Sequence, residues 1–160
     1  MSDKPVKARM TAAVEGDVVV FLIGMRINRL SAPWSWLPTL RAMPRMLREL
    51  SRDRESGMLG YRMLRRGVRI FYVVQYWEST QKLLAYASDP GKEHHPAWAA
   101  FNRRARDGRG SVGIWHETYA VPAGHYESVY DSMPAFGLGA VGGVEPVGRR
   151  GDRAAGRLGI

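Results

Sequence analysis

Two stretches of this chain are apolar on both of their faces, and nothing else limits its fold so strongly. "DVVVFLIGMRIN" (17–28) is rich in β-branched residues with no polar parity. In "VRIFYVVQYW" (68–77), Val68, Ile70, Tyr72 and Val74 alternate with Phe71, Val73 and Trp77. Successive strand side chains point to opposite faces, so each stretch predicts a strand covered on both sides.

The intervening segments supply helices. In "LPTLRAMPRMLRELSRDRES", Leu37, Leu40, Met43, Met46, Leu47 and Leu50 recur at helical spacing, with Arg41, Arg45, Arg48 and Arg52 mainly elsewhere. Pro38 suits a first helical turn, and Pro44 is expected to bend or divide the helix. "RLSAPWSW" before it reads as a loop. "GMLGYRMLRRGVRIFYVVQYW" reads as a hairpin with Gly67 at a positive-φ turn position. Ser79 is a fitting N-cap for "STQKLLAYASDP", which Asp89-Pro90-Gly91 ends. A further helix is predicted from Pro96 to about Arg106, a strand over 112–122, and a fifth strand within "HYESVYDSM".

The order β–α–β–β–α(α)–β is that of an α+β, ferredoxin-like βαββαβ fold. Helices cover one face of such a sheet. Strands apolar on both sides therefore predict a homodimer with sheets face to face, a dimeric α+β barrel. Residues 1–16 read as a flexible N-terminal arm, 17–133 as the barrel domain, and 134–160 as a Gly-rich C-terminal tail, irregular or mobile. Eight glycines fall in the last 24 residues.

Composition excludes several chemistries. With no cysteine there are no disulfides, thiolate metal sites, iron–sulfur clusters or covalent c-type haem. The longest apolar run, "VVVFLIGM", is too short to span a bilayer, and "MSDKPVKARM" lacks the apolar core of a signal peptide. A cytoplasmic protein without membrane contact is the simplest expectation. The net charge of +9 invites a nucleic-acid reading. Its arginines are spread without a dense run, so a small molecule is the expected partner instead.

Four histidines remain to carry chemistry. In "EHHPAWAAFNRR" (93–104), a helix starting near Pro96 puts His95, Trp98 and Asn102 on one face. A helix-start imidazole over an aromatic floor suits an axial haem ligand; the alternative is an exposed capping histidine. His116 lies 21 positions later in "IWHETYAV", sharing a parity with Ile114 and Thr118, while Trp115, Glu117 and Tyr119 share the other. It is either a hydrogen-bonded core residue, the more usual case, or a pocket lining able to exchange protons. No HExxH, paired acidic cluster or nucleophile elbow is present.

Two long segments, "FLIGMRINRLSAPWSWLPTLRAMPRML" and "VVQYWESTQKLLAYASDPGKEHHPAWAAFNRRARDGRGSVGIWHETYAVPAGHYESVYDSMPAFGLG", resemble a bacterial monooxygenase-like, phenylacetaldoxime dehydratase-like family of the dimeric α+β-barrel superfamily. Tyr76-Trp77, the His95 segment and Trp115-His116-Glu117 are similar to the closing repeat of the haem-containing aldoxime dehydratases. That resemblance implies haem b, with His95 as proximal ligand and His116 as distal acid–base. The order here is His-His-Pro, where the dehydratases have His-Pro-x-His, so His94 also stands as a candidate. Trp115, Tyr119 and Phe101 would line the substrate pocket. The competing class is a cofactor-independent monooxygenase of the antibiotic-biosynthesis type, in which Trp98, Phe101, Asn102 and His116 shape a dry pocket. A non-enzymatic small-molecule binder is the third.

Overall fold

A computed structural model describes residues 4–92, 99 and 110–160. Its elements run β1 (Arg9–Ala12), β2 (Val18–Ile27), α1 (Pro33–Arg52), β3 (Met58–Arg66), β4 (Ile70–Trp77), α2 (Thr80–Ser88), β5 (Val112–Val121), β6 (Tyr130–Asp131), α3 (Leu138–Gly142), β7 (Val144–Pro146) and α4 (Ala154–Leu158).

The two doubly apolar stretches, β2 and β4, pair antiparallel at the centre of a four-stranded sheet of order β3-β4-β2-β5. Every pairing is antiparallel, and consecutive elements cross as βαββαβ, so the fold is ferredoxin-like α+β. Gly67 takes the hairpin turn with φ 59°, as its missing Cβ permits. Ser79 Oγ accepts from the Lys82 amide at 3.2 Å and caps α2.

One sheet face carries the helices. Val19 and Trp77 are buried there with Leu50 of α1 and with Leu83 and Tyr86 of α2, and Phe21 and Met58 pack alongside. Trp77 is wholly enclosed, and its indole Nε1 donates to Gln75 Oε1 at 2.9 Å, so the one polar atom of the ring is satisfied inside the core.

Helix α1 departs from the sequence expectation. It starts at Pro33, absorbing most of the supposed tryptophan loop, and runs unbroken through Pro38 and Pro44. Each proline removes one intrahelical bond, yet burial of Leu47 and Leu50 holds the segment on the sheet. Pro33, rather than Pro38, takes the first helical position.

The two ends of the chain also differ from the expectation. Arg9–Ala12, placed in a flexible arm, is the middle strand of a second sheet, β6-β1-β7. Val144–Pro146, placed in an irregular tail, is one of its edges, and the fifth strand near Tyr130 joins this sheet, not the main one. The cause is apolar burial. Ala12, Val14 and Val18 form a cluster with Val20, Tyr76, Tyr126, Tyr130 and Leu138 packed against it. The chain itself thus covers the Val18–Tyr76 end of the sheet's second face. Val141 belongs to the same cover: a Cβ added at Gly60 would lie 2.9 Å from its Cγ2.

Candidate active site

His94, His95, Trp98, Phe101 and Asn102 lie outside the described residues. The site is therefore built from the sheet and from α1 and α2.

Register decides which side chains can meet. His116 pairs with Ile23, and Thr118 with Phe21, so both point to the helix-bearing face. The His116 ring lies 5.8 Å from the Phe21 ring, tilted by 45°. Trp115 pairs with Gly24, which in turn pairs with Tyr72 on β4, on the opposite face. The Trp115 and Tyr72 rings approach to 6.4 Å across that glycine. Gly24 has to lack a Cβ here: one would sit 2.8 Å from Tyr72 Cβ and 2.9 Å from Trp115 Nε1. Tyr119, directed like Trp115, donates to Glu117 Oε2 at 2.7 Å. That bond, together with the carboxylate charge, holds the phenol above its usual range.

The sheet thus separates two groups that the sequence reading combined. His116 stands on the helix side, whereas Trp115 and Tyr119 stand behind the sheet. Within one chain they cannot line a single pocket. Their alternation was visible in the sequence and carried this consequence.

His116 is not a satisfied core histidine. It is exposed, and among the described residues its ring meets no hydrogen-bond partner. Thr118 and Ala120 beyond it are exposed too; among the described residues α1 and α2 pack over the β2–β4 side and do not reach the β5 strip. A narrow apolar slot, about 30 Å³, lies between Phe21, Ile23, Gln75 and Trp77 of the sheet, Met43, Met46 and Leu50 of α1, and Leu83, Tyr86 and Ala87 of α2. Phe21 borders both slot and strip. It was not among the residues expected at the site, because alternation gives a strand's faces but not its neighbour strand. His125 sits in the turn after β5, exposed. Among the described residues no three His, Asp or Glu side chains gather as a metal site, and no helix is long and apolar enough to cross a membrane.

Comparison with known proteins supports the architecture. An aldoxime dehydratase solved with butyraldoxime superposes with TM-score 0.63 at 18% identity, over 89% of this chain and 41% of its own. A second aldoxime dehydratase gives 0.61 at 19% identity, over 82% and 40%. The chain therefore spans about two-fifths of the length of these enzymes. SnoaB, a cofactor-independent oxygenase from Streptomyces nogalater, gives 0.46 at 16% identity, over 64% of this chain and 91% of its own. No curated protein matches the chain significantly. The profile that does match, over residues 18–138, is that of the monooxygenase af470-like proteins, and the chain belongs to that family.

Proposed function

We propose that this protein is an enzyme acting on a small organic molecule at the strip of β5, with His116 as its acid–base group. The observation that carries the reading is the His116 imidazole, exposed on the helix side beside Phe21 and without a hydrogen-bond partner among the described residues. An imidazole is the side chain most often used as an acid–base group, since one ring nitrogen donates while the other accepts.

The finer reading is a haem enzyme resembling the aldoxime dehydratases. A porphyrin does not fit the slot between α1, α2 and the sheet, since ligand pockets of that class need about 300 Å³ or more. The β5 strip is the place where it would lie in this reading, since His116 and Ile114 there share a face with Phe21 and offer an imidazole beside apolar surface. His95, or His94 beside it, would hold the iron from the preceding segment. Bound there, haem b would supply a Lewis-acidic iron for a substrate N–O group. His116 would then protonate the departing hydroxyl, so that it leaves as water, and its neutral form would remove the C–H proton, turning an aldoxime into a nitrile. The second reading, a cofactor-independent monooxygenase, uses the same strip without iron, and a non-enzymatic binder would use it without turnover.

Haemin titration followed in the Soret region separates these readings. The expected result is a Soret band in the wild type, its loss in His95→Ala, and its retention without turnover in His116→Ala. Equal retention in both variants would move the ligand to His94 or His125. A wild type that takes up no haemin would remove the haem reading and leave the oxygenase.

We also propose a homodimer, formed through the part of the second face that the chain's own ends leave uncovered, around Tyr72, Trp115 and Tyr119. Tyr119 is 51% exposed there. Sedimentation should give about twice the 17.9 kDa chain mass, and a stable monomer at micromolar concentration would refute it.

A further inference from the structure

We propose that the apolar slot beneath α1 and α2 binds the carbonyl end of a slim aliphatic molecule, with the Gln75 side-chain amide as its hydrogen-bond donor. Gln75 stands on the helix side of β4, paired with Phe21, and is 4% exposed. A glutamine buried this deeply among apolar side chains needs partners for its polar atoms. Its oxygen has one: Trp77 Nε1, which can only donate, bonds Oε1 at 2.9 Å. That bond also fixes the sense of the amide, so the other end is the NH2 group. Among the described residues this NH2 group meets no acceptor, and Gln75 lines the slot.

The other polar side-chain groups on the slot wall are committed. The Trp77 N–H goes to Gln75, and the Tyr86 hydroxyl donates to Glu49 at 3.0 Å. The remaining walls are apolar, Phe21, Met43 and Met46 among them. A space of about 30 Å³ has room for one water or one carbonyl group. A buried water needs two to four polar partners, and one donor is on offer here. A carbonyl oxygen is satisfied by one, and its alkyl neighbours gain from the apolar walls. Among the described residues no charged side chain lines the slot, so a carboxylate head would lack a counter-ion. Met43 and Met46 are unbranched and repack readily, so a chain can follow its head inside.

Phe21 joins the slot to the β5 strip. It neighbours Gln75 on β4, and its ring lies 5.8 Å from that of His116. Gln75 and His116 stand two strands apart, about 10 Å at ordinary strand spacing. A molecule held by Gln75 can run over Phe21 and present its other end to His116. This deepens the acid–base reading of His116, on which it rests for that far end alone: the substrate is an aliphatic chain with an acceptor about 10 Å from the reacting group.

Titration of the full chain with pentan-2-one, followed by NMR, tests the slot without turnover. The Gln75 side-chain amide signals should move downfield in the millimolar range, and saturating pentane, which has no acceptor, should not shift them downfield. Trp77→Phe keeps the donor and should keep the binding. Adding Gln75→Leu removes donor and orphaned oxygen together and should weaken pentan-2-one about fivefold. His116→Ala should bind the ketone as the wild type does, so failure of the acid–base reading would leave this result standing. Gln75 signals that stay in place with pentan-2-one would overturn the proposal, as would equal binding by the Trp77→Phe and double variants. A long-lived water at the Gln75 amide that the ketone does not displace would overturn it in favour of a structural water.

Discussion

Deleting residues 145–160 is the sharpest test of how the ends of the chain are used. As a bare tail the segment would be dispensable, but the structure gives it three attachments. Glu145 and Pro146 pair with Thr11 and Met10. Val147 is 4% exposed, so its side chain is nearly all in the core. Arg157, with its side chain also 4% exposed, donates from Nη2 to Glu127 at 2.8 Å and from Nη1 to the Gly151 carbonyl at 2.9 Å. Losing a buried valine costs about 2 kcal/mol. Each lost ladder or charged hydrogen bond adds about 1 kcal/mol. The sum is about 4–6 kcal/mol, an upper estimate because an unfolded chain already buries some surface. Domains have about 5–15 kcal/mol in all. At about 2–4 °C per kcal/mol for this size, the melting temperature should fall by about 10 °C or more. Thermal denaturation followed by circular dichroism reads the change, with Val147→Ala expected to account for about 1–2 kcal/mol of it. A drop of less than about 3 °C would show that β7 and Val147 contribute nothing and that the apolar argument for the second sheet is wrong.

Gly24→Ala should destabilise by about 1–3 kcal/mol, since its Cβ meets backbone-proximal Tyr72 Cβ and the Trp115 indole; an unchanged melting temperature and near-UV signal would contradict the packing. Trp77→Phe leaves the Gln75 carbonyl oxygen without its buried donor and should cost about 1–3 kcal/mol, much of it recovered on adding Gln75→Leu; a fully additive double-mutant cycle would deny the coupling. The Asp53 carboxyl is held below its usual range by the hydrogen bond from Lys92 and then by the Glu55 amide. Its contribution to stability is therefore present above the unfolded carboxylate pKa and lost as pH falls through the depressed folded value; an NMR titration showing an ordinary midpoint would contradict it.

The central sheet was readable because its signals are local. Strands apolar at both parities, a glycine at a hairpin turn and a serine before a helix each act within a few residues, and all three appear as expected. The start of α1 differs because Pro33 and Pro38 both suit a first helical turn, and the unbroken run through Pro44 rests on the distant contacts of Leu47 and Leu50. The second sheet was missed for a similar reason. "MTAAV" is a weak strand signal, and only Tyr126, Tyr130 and Leu138 from the far end of the chain make burying it worthwhile. At the site, alternation along β5 placed His116 and Trp115 on opposite faces, but only the register with β2 put His116 beside Phe21.

The joining of β1 to β6 and β7 also orders events in time. The Ala12 amide donates to the Ser128 hydroxyl, 116 residues away. During synthesis β1 has no partner strands until residues 130–146 have emerged. Meanwhile Val14, Val18, Val20 and Tyr76 face solvent as an unshielded apolar strip. Contacts of such long sequence separation form slowly, and exposed strands invite association meanwhile. The second sheet thus ties the burial of Ala12 and Val18 to Tyr126, Tyr130 and Leu138 at the other end of the sequence, so neither end is buried without the other.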